Sequence, residues 1–182
     1  MNDLAERLLL RKLKADELPP ITAGIYALFL DRQDALPMLE LRDDGFLYVG
    51  MTTDDTGARN HFEHKNSGFS SPRRSLGALL KEELRLTTIP RGAGQSRHNW
   101  TNYRFSHEGE SRLTAWMWEN LRANHVPLAC DEEEIERIER QLIKSLAPPL
   151  NINGAPRSSN RSLLERLRSA CRDEARKNIS CT

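Results

Sequence analysis

Apolar positions recur along this chain at spacings that predict most of its elements. Over residues 131–146, Ile135, Ile138, Leu142, Ile143 and Leu146 follow a helical period. Asp131, with Glu134 three residues on, has the form of a capping box, and Pro148-Pro149 stops the helix after about four turns. On a wheel of about 100° per residue with Ile135 at zero, the apolar stripe runs from roughly 300° to 80°, and Glu139 falls at about 40°, inside it. Glu132, Glu133, Glu134 and Glu136 lie in the first turn or at the stripe's edges, where water solvates them. Glu139 is aimed at the core. Burying a lone charged carboxylate costs several kcal/mol, so it must be neutral, paired with a cation or bound to a metal.

The remaining runs fill in the order of elements. Residues 2–14 read as a helix with Leu4, Leu8 and Leu9 inward, ended by Pro19-Pro20. Residues 21–30 form a strongly apolar strand, 31–44 a polar connection containing Pro37, and 46–50 a second strand, the pair fitting an antiparallel hairpin. Strict alternation puts Phe46 and Tyr48 on one face, Leu47 and Val49 on the other, and lets Tyr26 and Tyr48 sit side by side. A helix is expected at 58–65, carrying Arg59, His61, Phe62 and His64, and another at 73–86 with Leu76, Leu79, Leu80 and Leu84 inward. Residues 89–100 are a Gly/Pro-containing loop, and 102–106 a third strand with Tyr103 and Phe105 on one face. A helix over 110–123 turns Leu113, Trp116, Met117 and Leu121 inward and leaves Trp118 off the stripe, with 125–130 as an extended link. After a linker at 155–161, Ser162 and Glu165 form a capping box that opens a final helix with Leu163, Leu164, Leu167 and Cys171. The fold class is therefore α+β, organised as an accessory helix (1–18), a domain (19–154), and a linker with a basic amphipathic helix (155–182).

Composition narrows the partners. At 182 residues the chain suits one decorated domain. Lys and Arg number 27 against 26 Asp and Glu, so no global charge drives it toward nucleic acid and any basic surface must be local. Cys130, Cys171 and Cys181 are odd in number and lack Cys-x-x-Cys spacing, which argues against a disulfide framework and a zinc site and makes a reducing cytoplasm the default. No signal peptide and no apolar run near eighteen residues is seen, so a soluble, unexported protein is expected.

Gly24-Ile25-Tyr26, then Tyr48-Val49-Gly50, an Arg ahead of His on the next helix, Glu139 followed by Leu142-Ile143, and Pro149-Leu150-Asn151 occur in that order. Together these blocks resemble the GIY-YIG nuclease family over about residues 20–154. Ser70-Ser-Pro-Arg73-Arg-Ser-Leu-Gly77 is similar to a turn of compact bacterial members. The resemblance implies a three-stranded antiparallel sheet between helices and hydrolysis of phosphodiester bonds with a divalent metal, Mg²⁺ or Mn²⁺. It makes Tyr26 and Tyr48 the paired tyrosines, Arg59 the helix arginine, Glu139 the metal ligand, and Asn151 the residue that sets the site's geometry. His61 or His64 is the helix histidine. The family commonly spaces Arg and His by four, whereas here the histidines follow Arg59 by two and five; His61 is preferred for the sequence that follows it.

The chemistry can be argued from the residue types. Hydrolysis needs an activated water, a sink for charge in the transition state and a proton for the leaving oxygen. A metal on Glu139 suits the charge, and Arg59 can fork onto non-bridging oxygens. A tyrosine acts as base only where cations lower its pKa from about 10; Tyr48 is the candidate base, with Tyr26 positioning water and His61 relaying the proton. Arg73, Arg74, Lys81, Arg91 and Arg97 are the candidate phosphate contacts. DNA is expected over RNA by analogy with the family, without a recognisable sequence-reading module. A non-cleaving nucleic-acid-binding or protein-interaction module is the alternative, and oligomeric state is left open.

Overall fold

The structure, a computed structural model, describes residues 2–20, 22–53, 61–63, 65–93 and 96–178. In chain order its elements are α1 (Asn2–Leu10), β1 (Gly24–Leu30), β2 (Phe46–Thr52), α2 (Ser71–Leu79), β3 (Thr88–Ile89), α3 (Arg97–Thr101), β4 (Arg104–Phe105), α4 (His107–Asn120), β5 (Leu121–Pro127), α5 (Glu132–Leu146) and α6 (Ser159–Lys177). They divide into two compact units, Met1–Asn60 with Trp118–Arg161, and His61–Met117 with Ser162–Thr182. The accessory helix thus belongs with the sheet, and most of the final helix with α2 and α4.

The first unit is built on an antiparallel sheet of order β2-β1-β5, in which all seven residues of the central strand are buried. Its third strand is not the one the sequence suggested. Residues 104–105 pair only with Thr88–Ile89 in a separate two-stranded ribbon, while Leu121–Pro127 completes the main sheet. Leu121, Arg122 and Ala123 are good helix formers. Seven-residue pairing with β1 overrides that local preference.

A second departure lies in β2. The register shifts between Leu28 and Phe29, so Tyr48 opposes Leu28 while Phe46 opposes Phe29, and Leu47 is an extra residue. This bulge reverses the alternation. Phe46 therefore shares the core face with Val49, its ring 5.8 Å from that of Phe29, and Tyr48 turns to the other face. The expectation that Phe46 and Tyr48 share a face fails for this reason.

The core face carries Ile25, Ala27, Phe29, Val49 and Met51, and packs Ile135, Leu142 and Ile143 of α5 with Leu8 of α1. Each of these side chains larger than alanine contributes about 1.5–3 kcal/mol by leaving water. Helix α5 lies over β2 and β1. Asp131 caps it by accepting from the Glu134 backbone N–H at 2.9 Å. The Glu134 carboxylate binds Arg137 at 2.6 Å instead of turning back to the cap, so only half of the capping box forms. Beyond Leu146 the chain turns through Ala147 at φ 47°.

In the second unit, the Ser70 hydroxyl caps α2 by accepting from the Arg73 N–H, and Pro72 stands in the first turn. Leu113, Trp116 and Met117 of α4 are buried as the stripe predicted, whereas Trp118 is exposed. Helix α6 begins three residues before the expected cap: Ser158, not Ser162, accepts from the backbone of Arg161 at 3.1 Å. It is docked within its unit, Arg168 donating to Ser71 and Ser75 and Glu174 pairing with Lys81 at 2.9 Å. No helix among the described residues is long and apolar enough to cross a membrane.

Candidate active site

Tyr26 and Tyr48 project from the sheet face opposite the α1/α5 core. Tyr26 opposes Gly50 across β2, and Tyr48 opposes Leu28, so the two are diagonal neighbours on adjacent strands. Their ring centroids are 6.0 Å apart with planes inclined by 34°. The Tyr26 ring reaches flat across Gly50: a Cβ there would overlap its hydroxyl and Cζ. Glycine at that position is what lets the phenol lie over β2.

The outer edge of β2 is closed by the segment after α5. The Asn151 side chain accepts from the Val49 N–H at 3.0 Å and donates to the Val49 carbonyl at 2.8 Å, while the Leu150 N–H donates to the Leu47 carbonyl at 2.9 Å. An amide presents one acceptor and one donor side by side, matching a strand edge. Asn151 thereby fixes the backbone between Tyr48 and Gly50.

Glu139 is half-buried in the inward stripe of α5. Helix α5 packs on the sheet face away from the phenols. Arg59 and His64, and with them half of the helix expected at 58–65, lie outside the described residues.

His61 belongs to the second unit and is buried. Its Nδ1 is 2.8 Å from the hydroxyl of fully buried Ser70, whose oxygen also accepts the Arg73 N–H. Which of the two donates depends on the ring's tautomer. Around this pair, all donors of Arg73 are used. Nε donates to Ser67, one terminal nitrogen to the His61 carbonyl and the Met117 sulfur, and the other to Glu110 and Thr114. Glu110 also accepts from the Ser67 and Phe105 N–H groups and the Ser67 hydroxyl. Burial pulls the Arg73 guanidinium below its ordinary pKa, against the raising effect of its bond to Glu110.

These contacts correct two of the expected phosphate contacts. Arg73 has no exposure and pairs with Glu110 at 2.9 Å, so it is a structural cation. Arg74 is 9% exposed and donates to the Ser67 and Gly68 carbonyls. Lys81 is engaged with Glu174. Arg91 and Arg97 reach the surface, Arg91 lying over the Phe69 ring.

One residue escaped the sequence reading. His125 opposes Tyr26 across β5 and shares its face, with Nε2 3.0 Å from the Thr22 carbonyl. Burial lowers its pKa, partly offset by that bond. Only recognition of 121–127 as a strand would have found it.

Among the described residues no group of three or more His, Cys, Asp or Glu side chains forms a metal cage. Residues 24–174 match the sequence model of the family described as GIY-YIG catalytic domain. The match begins at the first residue of β1 and takes in most of α6, leaving α1 outside it. No curated protein and no solved structure matches the chain.

Proposed function

From the premise that the chain belongs to the GIY-YIG catalytic-domain family, a nuclease family acting on nucleic acid, we propose that it is a metal-dependent endonuclease hydrolysing phosphodiester bonds in DNA. The observation that carries this reading is the pairing of Tyr26 and Tyr48 over Gly50, on a strand whose edge Asn151 holds in place.

A single half-buried carboxylate suits Mg²⁺ or Mn²⁺, hard ions that accept one protein oxygen and keep several waters, and does not suit zinc. Glu139 would hold the ion, which when bound supplies positive charge to the phosphate oxygens. Tyr48 takes the proton from the attacking water, and Tyr26 orients that water. Arg59 binds the non-bridging oxygens. His61 relays the proton. Asn151 acts through the backbone of β2 as a positioning residue. The described cysteines, Cys130 and Cys171, are free, which suits a cytoplasmic setting.

Supercoiled plasmid, branched and single-stranded DNA, each incubated with Mg²⁺ and with EDTA, provide the test. Cleavage that requires the metal and is lost in Glu139→Ala supports the proposal. A protein that retards DNA without nicking any of these substrates would instead be a binding module.

A further inference from the structure

Phe69 is 64% exposed although the backbone on both sides of it is held by buried groups. Asn66 accepts from the Gly68 N–H at 2.9 Å, and the Phe69 and Ser70 N–H groups donate to the Asn66 and Ser67 carbonyls. Ser67 is bound to Glu110 through both its N–H and its hydroxyl, and Arg74 donates to the Ser67 and Gly68 carbonyls from beneath. The ring is therefore presented on a rigid turn.

The Arg91 guanidinium lies over this ring, 4.6 Å from its centroid. It gets there by crossing Gly68, where a Cβ would collide with the Arg91 side chain. Arg91 is itself seated by its backbone N–H, which donates to the Asn99 carbonyl at 2.9 Å. A cation thus covers one side of an aromatic ring that water otherwise reaches.

We propose that Phe69 and Arg91 form a stacking platform for an unpaired nucleobase. A base has a π-face that stacks on an exposed aromatic whatever its identity, and the phosphate attached to it takes up the neighbouring guanidinium. A fully paired duplex offers no free base face. The platform therefore selects single-stranded or locally opened nucleic acid. The next residue, Ser70, is hydrogen-bonded to His61 Nδ1. The proposal deepens the nuclease reading by naming its substrate class, and rests on that reading only for the nucleic-acid partner.

Binding of 2-aminopurine-labelled single-stranded and duplex oligonucleotides, followed by fluorescence quenching and anisotropy in EDTA, tests it without requiring cleavage. Phe69→Ala is expected to weaken single-strand binding by about 5- to 100-fold and to abolish the quenching. Phe69→Trp should retain both, and duplex binding should change little. Because the ring is exposed, circular dichroism should show each variant folded. Equal single-strand affinity and quenching in Phe69→Ala and the parent would overturn the platform. If the parent cleaves DNA under Mg²⁺ while that equality holds, only the platform fails. If Phe69-dependent binding occurs with no cleavage under any metal, the platform stands and the nuclease reading fails.

Discussion

The phenol of Tyr26 occupies the space above Gly50 that any other residue's Cβ would fill. This joins the two tyrosine-bearing strands into one surface, because Tyr48 stands two residues before that glycine and its ring is 6.0 Å from Tyr26. Gly50→Ala must displace the Tyr26 ring. The expected outcome is a loss of at least tenfold in cleavage rate with a stability cost of about 1–3 kcal/mol, the usual penalty of overpacking. Nicking rates beside urea unfolding curves check it; an alanine variant with unchanged rate would mean that the ring position is immaterial.

The Ser70 hydroxyl is a hydrogen-bond partner of His61 Nδ1. In Ser70→Ala the Nδ1 loses this partner, and the tautomer preference should relax. Imidazole nitrogen shifts in ¹⁵N-histidine-labelled protein are expected to show one dominant His61 tautomer in the parent and a mixed population in the variant. Ser70→Thr, which keeps the hydroxyl, should restore the parent pattern.

Arg73 and Glu110 make a buried pair whose other hydrogen bonds are filled. Removing one partner strands the other charge, so Glu110→Gln or Arg73→Met should each cost about 3–5 kcal/mol, and the double variant less than their sum. Chemical denaturation of the four proteins measures the coupling.

His125 gives the fold a dependence on mild acid. Burial holds its folded pKa below the unfolded value of about 6.5. The unfolded chain therefore takes up the proton first, so this contribution is complete above about pH 6.5 and declines as pH falls through that value toward the folded one. Unfolding free energies between pH 7.5 and 5.5 should fall more steeply for the parent than for His125→Gln.

Much of this was legible in the chain. The α5 stripe, the Asp131 cap, the hairpin and the tyrosine pair follow from period and spacing, and the family from the order of short blocks. The third strand was not, because Leu121-Arg-Ala reads locally as helix and only pairing with β1 makes it extended. Nor was the bulge at Leu47, which no local residue preference marks and which decides that Tyr48 leaves the core face. Arg73 looked like surface charge because its carboxylate partner stands 37 residues away, on another helix.

The proposed chemistry stands or falls on whether Tyr48 and Glu139 serve one hydrolytic reaction. Single-turnover cleavage of supercoiled plasmid under saturating Mg²⁺ tests it most directly, with Tyr48→Phe and Glu139→Gln compared with the parent. A fall of about 10²-fold or more is expected for each, as for a lost proton acceptor or a lost metal ligand. Tyr48→Phe cleaving at nearly the parent rate, or Glu139→Gln cleaving with undiminished dependence on the metal, would contradict it.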